Sequence, residues 1–128
     1  LAYHRRAQDH RRRLSAAIQA VDGAAIGDKV KDGDLVVSRK VDGEFTLVAV
    51  EGDDAVTVNP GGTVRAGLPL LQELVAAVRG AGHQSAVFLG ELYVHRTDQR
   101  PRVHDVVRVA RRPDSDADLE SLRLAVFD

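Results

Sequence analysis

Three short groups of residues carry side chains suited to chemistry: Lys40-Val41-Asp42-Gly43, Gly90-Glu91 and Phe127-Asp128. Lys40 offers a primary amine, a nucleophile whenever it is neutral, and Asp42 sets a carboxylate two residues away. Read by itself, Asp-Gly between two alternating apolar runs is a hairpin signal, because both residues tolerate positive φ. That reading leaves Lys40 an exposed strand residue. Glu91 is flanked by Phe88, Leu89, Leu92 and Val94. A carboxylate in such a run must be paired, hold a ligand or stay wet at a sheet edge. Alternation puts it on the face opposite Gly90 and Leu92, and Gly90 permits close approach of a ligand or a backbone. Phe127 alone reads as a core aromatic at the end of a strand.

Other groupings carry less. Asn59-Pro60-Gly61-Gly62-Thr63 lacks the Gly-Lys-Ser/Thr of a phosphate-binding loop and reads as a turn. His4, His10, His83, His95 and His104 have no metal-ligand spacing and read as scattered surface histidines. Ser38, Ser85, Ser115 and Ser121 sit in no nucleophile elbow. The absence of Cys removes disulfides, thiolate metal sites and a Cys nucleophile, and it fits a cytoplasmic protein.

The elements that must position these residues follow from periodicity. Residues 2–21 predict a helix with Tyr3, Ala7, Leu14, Ile18 and Val21 on one side, ended by Asp22-Gly23. Residues 24–34 read as a polar connector. Two strands are expected at 35–41 and 44–50 around Asp42-Gly43, and a third at 55–58, stopped by Asn59-Pro60. A second helix is expected over 68–79, with Pro69 in its first turn. Residues 86–94 read as a nearly continuous apolar strand and 102–112 as a short helix. A surface loop or short turn at 114–118 and a last strand at 122–127 complete the chain. Helices and hairpins mix without regular alternation, which predicts an α+β fold with mainly antiparallel sheets flanked by helices.

The 128 residues, 44% apolar and 29% charged, suit a globular domain rather than a disordered tail. No apolar run approaches the roughly 18 residues of a membrane span, so no membrane partner is expected. The chain contains no Met, begins at Leu1 and ends on a strand-like run, and it is expected to be a fragment. Its net charge of −1 hides blocks of opposite sign. Arg5, Arg6, Arg11, Arg12 and Arg13 face only Asp9 within residues 1–13. Residues 96–112 hold a second basic block that includes Arg100, Arg102 and Arg108, and acidic blocks occupy 28–54 and 113–128. The basic blocks are either phosphate contacts or partners of the acidic ones.

Taken together and in order, Lys40-Val41-Asp42-Gly43, Gly90-Glu91 after an apolar strand and Val126-Phe127-Asp128 resemble the ATP-dependent polynucleotide ligase family. These covalent nucleotidyltransferases include DNA ligases, RNA ligases and mRNA capping enzymes. The resemblance spans residues 35–128, about the front half of a catalytic domain, and implies a ligase-type, ATP-grasp-like nucleotidyltransferase core. Residues 1–34 would then be a basic helix and connector, and the chain would stop before the family's last motifs, so that as given it would not complete ligation.

The resemblance implies a role for each matching residue. Lys40 would attack the α-phosphate of ATP to give lysyl-AMP, with Asp42 beside the amine. Glu91 would contact the ribose or the metal region, and Phe127 would stack on adenine. Ser38 and Arg39 precede the lysine where the family reads the nucleotide, and Gly43 would allow the turn. Mg²⁺ on the phosphates would offset their charge. The partner would be nucleic acid, DNA ahead of RNA, touched by the arginines of the two basic blocks. Two positions depart from the family: Phe45 stands where an arginine is usual, and Val58-Asn59-Pro60-Gly61 replaces Ser-Arg-Asn-Gly. Both departures bear on recognition of a nick more than on nucleotide binding. The alternatives are an RNA ligase, a non-catalytic nucleic-acid-binding domain and a degenerate nucleotide-binding relative.

Overall fold

The computed structural model describes residues 2–30, 33, 36–100 and 102–128. Its centre is one five-stranded antiparallel sheet with strand order β3-β2-β1-β4-β5. The strands are β1 (Glu44–Glu51), β2 (Asp54–Val58), β3 (Val64–Arg65), β4 (Ser85–Val94) and β5 (Leu122–Val126). The helices are α1 (Ala2–Ala17), α2 (Ile26–Lys29), α3 (Pro69–Gly80), α4 (Val103–Arg111) and α5 (Asp116–Glu120), with a 3₁₀ turn at Gly23–Ala25. The expected α+β class with an antiparallel sheet flanked by helices is what the chain forms. No helix among the described residues is long and apolar enough to cross a membrane.

Both faces of the sheet are covered, which explains why β1 is buried at every position from Phe45 to Val50 rather than at alternate ones. Phe45, Leu47 and Ala49 point to α1 and pack with Ala7 and Leu89. Val48 and Val50 point the other way, into a larger core with Leu71, Val75 and Val78 of α3 and Val106 and Val109 of α4. Each fully buried Leu or Val contributes about 1.5–3 kcal/mol of transfer free energy. Pro69 starts α3, where its missing N–H leaves no partner wanting. Asp105 is the buried carboxylate of the α4 side. It accepts the Arg102 backbone N–H at 3.0 Å and holds the Arg96 guanidinium at 3.3 Å, so it ties the loop after β4 to the start of α4.

Three expectations need correction. The strand predicted over 35–41 does not form: Leu35 lies outside the described residues, and residues 36–41 carry no ladder. Val36 and Val37 are more than nine-tenths exposed. A full hairpin partner would collide with β2, because β4 flanks β1 along its whole length and β2 takes the other side from Leu47 onward, which leaves only Glu44 to Thr46 open. Asp42-Gly43 is therefore not a hairpin turn. Second, α1 stops at Ala17 instead of continuing to Val21: Leu14 is its last residue packed on the core of that face, and Ile18 is left largely exposed beside the groove. Asp22 instead accepts the Ala24 N–H and caps the 3₁₀ turn. Third, β5 ends at Val126 rather than Phe127. The N–H groups of Phe127 and Asp128 both reach the Leu89 carbonyl, at 2.9 and 3.2 Å. Two residues thus oppose one, as in a bulge.

Candidate functional site

The α1 face of the sheet builds the site. Phe45 pairs with Glu91 across β1 and β4, and Glu91 pairs with Ala125 across β4 and β5, so the three form one cross-strand row. Phe127 continues the β5 side of that row, its ring centroid 5.9 Å from that of Phe45. Above the row lie Arg11, Leu14 and Ser15 of α1, and along its end run Ser38 to Gly43. Between them is a groove of about 660 Å³ whose walls include Ser38, Arg39, Lys40, Gly43, Glu91 and Phe127. Residues far apart in the sequence thus meet in one cavity.

Gly43 explains how the segment that bears Lys40 is held. A Cβ there would lie 2.1 Å from the Leu92 carbonyl oxygen, so only glycine lets the backbone run this close to β4. From that position the Gly43 N–H donates to Glu91 Oε1 at 3.2 Å. Gly90 serves a matching purpose one strand over, where a Cβ would meet the Ala125 carbonyl at 2.5 Å. Its close neighbour is a backbone.

The charges are arranged around Asp42. Lys40 Nζ donates to Asp42 Oδ1 at 2.5 Å, and Arg100 binds the other carboxylate oxygen. The hydrogen bond from Lys40, followed by that from Arg100, holds the Asp42 carboxyl below the usual carboxylate range. Asp42 is thereby an orienting group and a poor proton acceptor. Glu91 is half-buried, and burial pushes its carboxyl up, against the Gly43 N–H and the nearby Lys40 and Arg11 charges. Lys40 itself projects into solvent at the mouth of the groove.

The chain matches no protein-family model and no curated protein. Its function must be read from these residues.

Several contributors carried no signal of their own type. Phe45 is buried, stacked on His10 at 6.2 Å between centroids, with the Arg11 guanidinium carbon 5.8 Å from its ring centre. A cation therefore reaches the position where the resemblance expects arginine, from α1 instead of β1. The helical stripe Ala7, Leu14, Ile18 also passes through residue 11, and that spacing would have found it. Arg65 and Glu44 form a nearly buried two-bond pair, with contacts of 2.5 and 3.1 Å. It fixes the start of β1 directly after Gly43, and β3 is too short to read from sequence.

Among the proposed nucleic-acid contacts, Arg5, Arg6, Arg12 and Arg13 are exposed on α1, and Arg12 lies 3.5 Å from Asp9. Arg11 turns into the groove. Arg108 pairs with Asp114 at 3.0 Å and Asp118 at 3.7 Å, Arg100 pairs with Asp42, and Arg102 is exposed. The second basic block is thus partly neutralised within the molecule. No group of three or more His, Asp or Glu side chains among the described residues is placed to hold a metal ion.

Proposed function

We propose that this chain carries the nucleophile and nucleotide groove of an ATP-dependent polynucleotide ligase, a nucleotidyltransferase that forms lysyl-AMP for joining nucleic-acid ends. One observation carries the reading: Ser38, Lys40, Gly43, Glu91 and Phe127, drawn from motifs spread over residues 38–127, line a single groove. Its volume of about 660 Å³ is within the range of small-molecule sites, roughly 300–1,000 Å³.

Each side chain has a task that its surroundings suit. Phe127 offers a half-exposed ring to the base, and stacking of this kind contributes about 1–3 kcal/mol. Glu91 accepts from a ribose hydroxyl while its other hydrogen bond keeps the Gly43 backbone in place. Lys40, when neutral, attacks the α-phosphorus. A nitrogen–phosphorus bond forms, the bond to the pyrophosphate oxygen breaks, pyrophosphate leaves with the electron pair, and the amine proton passes to water. Asp42 sets the direction of the amine. Mg²⁺ brought in on the triphosphate supplies positive charge during transfer, and Glu91 is the groove carboxylate with no cation bound to it among the described residues.

DNA is favoured as the nucleic acid because Asp42 matches the commoner DNA-ligase form of the motif. Incubation of the full-length protein with α-labelled ATP and Mg²⁺ is expected to leave an acid-labile label on it, absent from Lys40→Ala. No label, or one that survives that substitution, would remove the lysyl-AMP reading. Label without joining of nicked DNA or RNA would mark a relative that keeps only the first step.

A further inference from the structure

Lys40 borders a second groove, on the side of residues 39–42 away from Phe127, with a volume of about 330 Å³. Its walls carry Arg39, Lys40, Arg96 and Arg100 as cations, His95 beside them, and Asp42 as the one carboxylate. Asp42 is already bound by Lys40 and Arg100. Arg96 is held at 3.3 Å by Asp105, and Arg39 makes no ion pair among the described residues. The wall is also fixed in place: the His95 backbone N–H donates to the Ser121 carbonyl at 2.8 Å, and Asp105 anchors the next residue. With Lys40 and Arg100 sharing Asp42 and Arg96 held by Asp105, the groove keeps a positive balance carried by Arg39 and Arg100, and guanidinium forks match phosphate oxygens.

We propose that this basic groove binds a diphosphate group: the β- and γ-phosphates of ATP before transfer and pyrophosphate after it. The assignment rests on the ligase reading above. It follows from position, because Lys40 stands where the two grooves meet. A nucleotide with its base against Phe127 and its α-phosphate at Lys40 directs its remaining phosphates past the lysine, into the basic side. The groove is short and bounded, which suits a compact phosphate group better than a continuous strand.

Calorimetry on the protein with inorganic pyrophosphate, AMP and a 5′-phosphorylated oligonucleotide tests the assignment. Arg39 and Arg100 are exposed, so Arg39→Ala/Arg100→Ala is expected to keep the far-UV circular dichroism of the parent. The double variant is expected to bind pyrophosphate at least about tenfold more weakly, since contacts to charged groups are individually worth that much or more. AMP affinity should fall by a much smaller factor than pyrophosphate affinity, since Arg39 borders both grooves, whereas Phe127→Ala should weaken AMP and spare pyrophosphate. Undetectable pyrophosphate binding by the parent, or equal affinity in parent and double variant, would overturn the assignment. Loss of oligonucleotide binding with pyrophosphate binding intact would also overturn it, in favour of a polynucleotide phosphate. Loss of lysine labelling in the earlier experiment defeats the lysyl-AMP reading by a separate readout, because pyrophosphate binding needs no covalent step.

Discussion

At the scale of single residues, the two carboxylates of the groove are set apart by their surroundings. Asp42 faces two cations and its pKa falls; Glu91 is half-buried and its pKa rises. The consequences for stability have opposite signs. A lowered native pKa gives Asp42 a stabilising contribution above the ordinary carboxylate value, lost as pH drops through the native one. A raised native pKa means that folded Glu91 holds its proton more tightly than the unfolded chain does. Its contribution is present at acid pH and disappears as pH climbs through the native value. At neutral pH the ionised, half-buried Glu91 therefore opposes folding. Glu91→Gln removes that charge and keeps an oxygen for the Gly43 N–H. The variant is expected to melt above the parent at pH 7, with the gap closing below the ordinary carboxylate range. A melting point equal to or below the parent's at pH 7 would show that the neighbouring cations outweigh burial. In the labelling assay the same variant should transfer AMP more slowly, since the amide is a weaker acceptor for a ribose hydroxyl.

At the scale of elements, the instructive case is the segment that bears Lys40. Its sequence carries a strong local hairpin signal in Asp42-Gly43, and the hairpin loses because β4 takes one side of β1 and β2 the other from Leu47 onward, leaving a partner strand only three residues. Competition for an edge is a non-local matter that no window around residue 42 contains. The same holds for the end of α1, whose apolar stripe continues past Ala17 while its packing on the core ends at Leu14. In contrast, α3, β4 and α4 were legible to within a residue or two, because each buries a face whose period is strong enough to read. The glycines separate the two accounts of residue 43 experimentally. Gly43 does not need positive φ; it needs the absence of a Cβ 2.1 Å from the Leu92 oxygen. Gly52, in the turn between β1 and β2, has φ of 60° and open space around it. Gly43→Ala should then be the more harmful change, by about 1–3 kcal/mol for a forced backbone shift, against about 1 kcal/mol for Gly52→Ala. Chemical denaturation of both variants checks the order. Similar costs for the two variants are what a positive-φ turn at Asp42-Gly43 would give.

At the scale of the molecule, the groove and the larger core lie on opposite faces of one sheet. The α1 face is thin: Ala7, Phe45, Leu47, Ala49 and Leu89 are its buried members. Among the described residues the α3 face holds twelve buried ones, including Leu71, Val48 and Leu122. β1 and β4 contribute to both, with Leu47 and Val48 adjacent in the chain but buried in different cores. Neither core can come apart without removing the strands from the other, so the two are expected to unfold together. Leu71→Ala, a truncation on the face away from the groove, should cost about 2–5 kcal/mol of global stability. Tyr3 sits on α1 and hydrogen-bonds Glu51, a bond that pushes its phenol pKa up, which makes it a reporter for the groove face. Tyrosine absorbance and far-UV circular dichroism of Leu71→Ala should therefore give coincident denaturation curves, both shifted to lower denaturant by the same amount. Tyr93, at the far end of β4 and paired with Arg123 of β5, should follow the same curve. A tyrosine transition that precedes the loss of circular dichroism would mean that α1 leaves the sheet independently. The groove roof would then be a separable layer, and nucleotide bound beneath it would stabilise α1 without stabilising the α3 core.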